Sequence, residues 1–94
     1  MSVRALLIGD VVGEPGRNIL RDRLKPLREK LGADFCVANG ENVSGGSGIT
    51  VQNAEELFAY GVDVITTGDH VWKRKEIAGL MKTDPRILRP LNYS

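Results

Sequence analysis

Residues 3–9 (VRALLIG), 34–38 (DFCVA) and 62–66 (VDVIT) are short apolar runs, separated by longer stretches whose apolar residues recur at helical spacing. Strands that read as near-continuous apolar runs belong to sheets buried on both faces. The run at 3–9 carries a single charge and is expected to be covered on both sides. A chain that alternates strand, helix and strand cannot be closed by hairpins alone. It builds a parallel sheet with right-handed crossovers. The fold class expected is therefore α/β, a parallel β-sheet with crossover helices.

The segment at 15–32 is charged and apolar in turn, with Ile19, Leu20, Leu24, Leu27 and Leu31 on one broad face. Pro15 suits its first turn and Gly32 its C-terminal cap. Pro26 lies inside the pattern and is expected to kink or split the helix near Leu24. Thr50 is the expected N-cap of a second helix at 51–60, with Val51, Ala54, Leu57 and Phe58 inward and Gly61 at its end. Residues 73–82 read as a third helix, and 86–93 hold a fourth short strand stopped by Pro90. Between the second strand and the second helix lies NGENVSGGSGIT (39–50), a twelve-residue loop with four glycines. Loops of that length in a small domain are often functional.

Each of the three runs ends on polar residues: Asp10 after the first, Glu41 and Asn42 after the second, Asp69 and His70 after the third. In a parallel α/β sheet, ligands bind beyond the carboxyl ends of the strands. The topology gathers these residues on one rim despite their separation in sequence. Carboxylates, a carboxamide and an imidazole form a hard-to-borderline ligand set suited to Mn, Fe, Mg or Zn, without the thiolates of a structural zinc site. A divalent cation offsets the repulsion of clustered carboxylates and supports phosphate chemistry. Taken singly, each residue has a plainer reading: Asp10 an N-cap, Glu41 and Asn42 loop polarity, Gly68-Asp69-His70 a turn. The case rests on their coincidence.

Other motifs carry less. GDVVGEPG (9–16) has the wrong spacing for a dinucleotide-binding loop. GGSG (45–48) lacks the Lys and Ser/Thr of a P-loop and reads as a flexible cover. The basic run at 73–75 reads as a solvated helix face, and Trp72 as a core anchor. Composition narrows the class further. Thirteen Lys plus Arg against twelve Asp plus Glu leave a formal charge of +1, which argues against a broad nucleic-acid-binding surface. The lone Cys36, inside an apolar run, excludes an intrachain disulfide and reads as a small buried hydrophobe. There is no secretory signal pattern, and no stretch nears the roughly 20 apolar residues of a membrane helix. The expected address is the cytoplasm, with no membrane partner.

IGDVVGEPGR (8–17), ANGENVSGGSGIT (38–50), AEELFAYGVDVITTGDHVWKRKEI (54–77) and RILRPLNY (86–93) together resemble the N-terminal part of the YmdB-type metallophosphoesterases, in the calcineurin-like phosphoesterase superfamily. The resemblance implies a phosphodiesterase with two divalent metal ions, Fe or Mn ahead of Mg or Zn, acting on cyclic nucleotides such as 2′,3′-cyclic AMP. It implies that Asp10 binds the first metal, that Glu41 contacts or bridges both, and that Asn42 sits beside it as a metal-site and substrate-binding residue. Position 69 would bind the second metal. His70 would lie at the phosphate as general acid or transition-state stabiliser. The family's third block reads Gly-Asn-His; here Asp69 offers the same ligand oxygen with an added negative charge. Family members are well over twice as long, and their remaining ligands are histidines of the second half, whereas this sequence has one histidine. The 94 residues are thus expected to be a single α/β domain, the truncated N-terminal portion of a larger one, inactive alone. The alternative is a non-catalytic nucleotide-binding module, or one that self-associates through an exposed sheet edge.

Overall fold

The computed structural model describes residues 2–45, 48–68, 77, 79 and 83–88. Their order is β1 (Ala5–Asp10), α1 (Gly13–Leu31), β2 (Phe35–Asn39), α2 (Val51–Tyr60), β3 (Val64–Thr66) and β4 (Ile87–Leu88). The strands form one sheet in the order β1-β2-β3-β4, and every pairing is parallel. The expected fold class is thus the observed one. The helix expected at 73–82 falls largely outside the described residues, as do Trp72 and the basic run at 73–75.

Successive strands step across the sheet in one direction, so right-handed crossovers place their helices on the same face. Burial follows that rule. Leu6 and Ile8 pair with Cys36 and Ala38, and Ala38 with Ile65, which pairs with Ile87. Cys36, Ala38 and Ile65 are fully buried, and Leu6 and Ile8 pack against the core. The alternate residues face the other way: Leu7 is 74% exposed, Leu88 48% and Phe35 38%. The expectation that residues 3–9 are covered on both faces is therefore corrected. The apolar run is present, but the described chain supplies helices to only one side.

Core residues from the helices and the loop meet the covered face: Leu20 and Leu24 of α1, Ala54 and Leu57 of α2, Val43 and Ile49 of the loop, together with Ile77. Fully burying each large aliphatic side chain stabilises by about 1.5–3 kcal/mol. Only part of the apolar stripe on α1 meets the core. Of the broad apolar face expected at 15–32, Leu20 and Leu24 are buried, whereas Ile19, Leu27 and Leu31 are exposed. Pro26 does not split the helix, which runs unbroken through it. Pro26 is exposed, as is Asp22 four residues earlier, whose carbonyl loses its partner to the proline. Water can satisfy that carbonyl, so the helix continues.

The helix ends follow local chemistry. The amide of Asn53 donates to Thr50 Oγ1 at 3.1 Å, the expected N-cap of α2. Gly32 closes α1 in the left-handed conformation. From the last turn of α1, Arg28 pairs with Asp63 at 3.0 Å and donates to the carbonyl of Gly61 at 2.7 Å. The same Asp63 carboxylate accepts the amide of Cys36 at 2.8 Å. These contacts tie α1, β2 and the entry to β3 together at the amino ends of the strands, opposite the rim that carries Asp10.

Candidate functional site

Because β1, β2 and β3 are parallel, their carboxyl ends share one rim. Register decides which side chains meet there. Asp10 lies opposite Asn39, and Asn39 opposite Thr66, with a bulge between Ile8 and Asp10. Without that bulge Gly9 would face Asn39, and Asp10 would pass to the helix-covered side. The extra residue thus puts Asp10 in one row with Asn39 and Thr66, on the face the helices leave open.

The loop after β2 returns to this row. Asn42 Nδ2 donates to Asp10 Oδ2 at 2.9 Å. Beneath that contact the amide of Val11 donates to the carbonyl of Asn39, and the amide of Gly13 to the carbonyl of Asn42, each at 3.1 Å. Gly13 has φ 57°, a left-handed conformation that favours glycine and lets the chain turn into α1 beside Asn42. The N-cap of α1 is Val12, with no side-chain cap bond. Asp10 therefore does not act as the cap that its position alone suggested; its carboxylate is engaged with Asn42.

Glu41 is held from two sides. Its amide donates to Asn39 Oδ1 at 3.2 Å, and Asn39 Nδ2 donates to Glu41 Oε1 at a long 3.5 Å. On the other side the carboxylate lies against Gly68. A Cβ there would collide with Oε2 and stand 2.5 Å from Cδ and 2.7 Å from Oε1. Gly68 follows β3, so Glu41 links the second strand tip to the third. The amide of Gly40 completes the link by donating to the carbonyl of Thr66 at 2.8 Å.

The loop itself is braced. Ser44 Oγ accepts the amide of Thr50 at 2.9 Å and lies 2.5 Å from Asn53 Oδ1. Arg17 of α1 donates to the carbonyl of Val43 at 2.6 Å. Ser44, Val43 and Ile49, which flank GGSG (45–48), are buried, whereas residues 46 and 47 of that run lie outside the described residues. Among the described residues no buried side-chain polar atom lacks a hydrogen-bond partner.

Asp10 is exposed, while Glu41 and Asn42 are half-buried, so the rim is open to a small solute. Two of the three predicted strand endings are thus brought together: Asp10 by contact with Asn42, and Glu41 by the Asn39 side chain. Asp69 and His70 lie outside the described residues. Among the described residues no three His, Cys, Asp or Glu side chains converge as a metal cluster. The donors present are carboxylate and carboxamide oxygens, and among the described residues Asp10 is in none of the ion pairs. That set fits a hard divalent cation. Cys36 is fully buried, and burial pushes its thiol above its ordinary pKa, so it behaves as a core side chain. A depression of about 280 Å³ lined by Arg23, Pro26, Leu27 and Lys30 lies on the outer surface of α1 and not at the rim.

Asn39, Gly68 and the bulge are not marked by the pattern of polar strand endings. An isolated glycine in an apolar run, Gly9, is the signal that could have revealed the last.

Similarity to known proteins bears directly on this rim. The model of the YmdB-like protein family matches residues 6–94, which takes in all three strand endings. The chain belongs to the YmdB-like protein family. This YmdB-like chain is similar to a 2′,3′-cyclic-nucleotide 2′-phosphodiesterase of Bacillus subtilis (strain 168), 40% identical over 97% of the chain and 34% of that relative. A putative phosphatase/phosphodiesterase of Mycoplasma pneumoniae is 36% identical over 97% of the chain and 32% of the relative. Among solved structures, one described as a novel phosphatase from Mycoplasma pneumoniae superposes with a TM-score of 0.93 at 35% identity, over 100% of this chain and 34% of that one. A hypothetical protein from Thermus thermophilus gives 0.90 at 37% identity, over 98% and 35%. The chain therefore spans about a third of the length of these relatives. Among its described residues, no helix is long and apolar enough to cross a membrane.

Proposed function

We propose that this chain contributes to a metal-dependent phosphodiesterase that hydrolyses cyclic nucleotides such as 2′,3′-cyclic AMP. The observation that carries the reading is the Asn42–Asp10 hydrogen bond at 2.9 Å. It joins two strand tips into one oxygen-rich rim, in a chain 40% identical over its length to a cyclic-nucleotide phosphodiesterase. Asp10 and Glu41 would hold the divalent ions, with Asn42 orienting the Asp10 carboxylate and facing the substrate. Asp69 would complete the set at the third tip. Two such ions, Fe or Mn before Mg or Zn, would supply charge to polarise the phosphate and to activate a water when bound by these residues. His70 is assigned the proton that the departing oxygen needs.

Residues 1–94 alone are proposed to have little or no turnover, since they hold a single histidine and span about a third of the relatives' length, whereas the resemblance places the remaining metal ligands on histidines of the second half. The test compares hydrolysis of 2′,3′-cyclic AMP with Mn²⁺ by the full-length protein, by its Asp10→Ala, Glu41→Ala double variant and by the 94-residue chain. Turnover in the first only is expected. Equal turnover in the double variant would overturn the site assignment, and enzyme-like rates in the 94-residue chain would overturn the claim of inactivity.

A second reading, a self-associating module, is favoured by one observation: the uncovered sheet face presents exposed Leu7 on the edge strand β1, Phe35 on β2 and Leu88 on β4. Sedimentation of the 94-residue chain decides it, since a strict monomer at all concentrations would remove this reading.

A further inference from the structure

The carboxylate assigned above to the metal is not placed by its own backbone alone. Glu41 sits in an open loop, half-buried, on a side chain with several rotatable bonds. Such a group loses entropy when fixed, and its orientation must come from neighbours. Asn39, the last residue of β2, meets it twice. Its Oδ1 accepts the amide of Glu41 at 3.2 Å, and its Nδ2 reaches Glu41 Oε1 at 3.5 Å. Asn39 is itself anchored, because its carbonyl accepts the amide of Val11 at 3.1 Å and its backbone pairs with Asp10 on one side and Thr66 on the other. Its backbone is therefore fixed relative to two strand tips, and its side chain hands that reference to Glu41 through these two contacts.

We infer that Asn39 is a positioning residue that orients the Glu41 carboxylate toward the ion-binding rim. The inference rests on the metal-dependent reading above and adds a residue to it. Its chemistry is specific. A carboxamide offers an acceptor and a donor on one planar group, so it can turn the chain at Glu41 N and steer Glu41 Oε1 at once. A hydroxyl at the same place could still accept the Glu41 amide in a short side-chain turn, but it could not reach the carboxylate. Groups that orient metal ligands without touching the metal typically carry about 10- to 100-fold in affinity or activity.

The test is calorimetric titration of the full-length protein with Mn²⁺, together with steady-state kinetics on 2′,3′-cyclic AMP and metal-free unfolding midpoints, for wild type, Asn39→Ser and Asn39→Ala. Both variants are expected to weaken Mn²⁺ binding by about 10- to 100-fold and to lower kcat with little change in KM, while Asn39→Ser keeps the wild-type unfolding midpoint. Wild-type Mn²⁺ affinity and kcat in Asn39→Ser would overturn the positioning role and leave the metal reading intact. An unfolding midpoint lost as far in Asn39→Ser as in Asn39→Ala would also overturn it, assigning the carboxamide to folding. Wild type that binds no Mn²⁺ would remove both.

Discussion

Replacing Gly68 by alanine isolates the position of one carboxylate from the stability of the fold. Gly68 is not among the glycines with positive φ, so an alanine backbone is acceptable there. The added Cβ would lie 2.5 Å from Glu41 Cδ, where ordinary contact needs 3.4–4 Å. The carboxylate must therefore retreat by about 1 Å. It sits at the end of a flexible side chain, so the retreat costs the fold no more than an off-rotamer torsion, about 0.5–1.5 kcal/mol. The cost to chemistry is larger. A misplacement of about 1 Å in a reacting assembly can lower turnover roughly 10²-fold, or about 2.7 kcal/mol of barrier. The assay is kcat for 2′,3′-cyclic AMP with saturating Mn²⁺, in the full-length protein, for Gly68→Ala, Glu41→Ala and the pair. Gly68→Ala is expected to cost about 100-fold in an otherwise wild-type protein and almost nothing further once Glu41 is gone, because the two changes act through one contact. Full activity in Gly68→Ala, or an equal loss in the Glu41→Ala background, would refute the reasoning.

Leu57 is fully buried among the core residues of sheet, helix and loop; Leu57→Ala should cost about 2–5 kcal/mol in a denaturant titration, against no more than about 0.5 kcal/mol for a polar replacement at exposed Gln52. Hydrogen bonding and charge from Arg86 hold the Asp84 carboxyl below its ordinary 3.8. Its contribution is present above pH 3.8 and is lost as pH falls through the depressed folded value, so Asp84→Asn should flatten the acid limb of a stability–pH profile and leave its slope above pH 6 unchanged. Cys36 is fully buried with a raised thiol pKa; a water-soluble thiol reagent should label it only at the rate of global opening, and rapid labelling under native conditions would contradict its place in the core.

Much of this protein follows from local pattern. Apolar runs separated by helical spacing dictate strands joined by crossovers, and Thr50, Gly32 and Gly61 mark helix ends by short-range rules that need no tertiary context. The placement of Asp10, Glu41 and Asn42 at one sheet edge also follows from sequence, since a polar residue just past an apolar run in a parallel sheet lies at the carboxyl ends of the strands. Tertiary structure decided the rest. An apolar run does not say how many of its faces will be covered, so the exposure of Leu7 depends on the described helices α1 and α2 crossing on one side. Pro26 continues a helix because it happens to face water. The bulge before Asp10 is a matter of register between chains of atoms far apart in sequence, and so is the meeting of Glu41 with Gly68. Short-range preferences select elements and their ends. Which side chains touch across them is set by strand register, where a slip of one residue reverses every face.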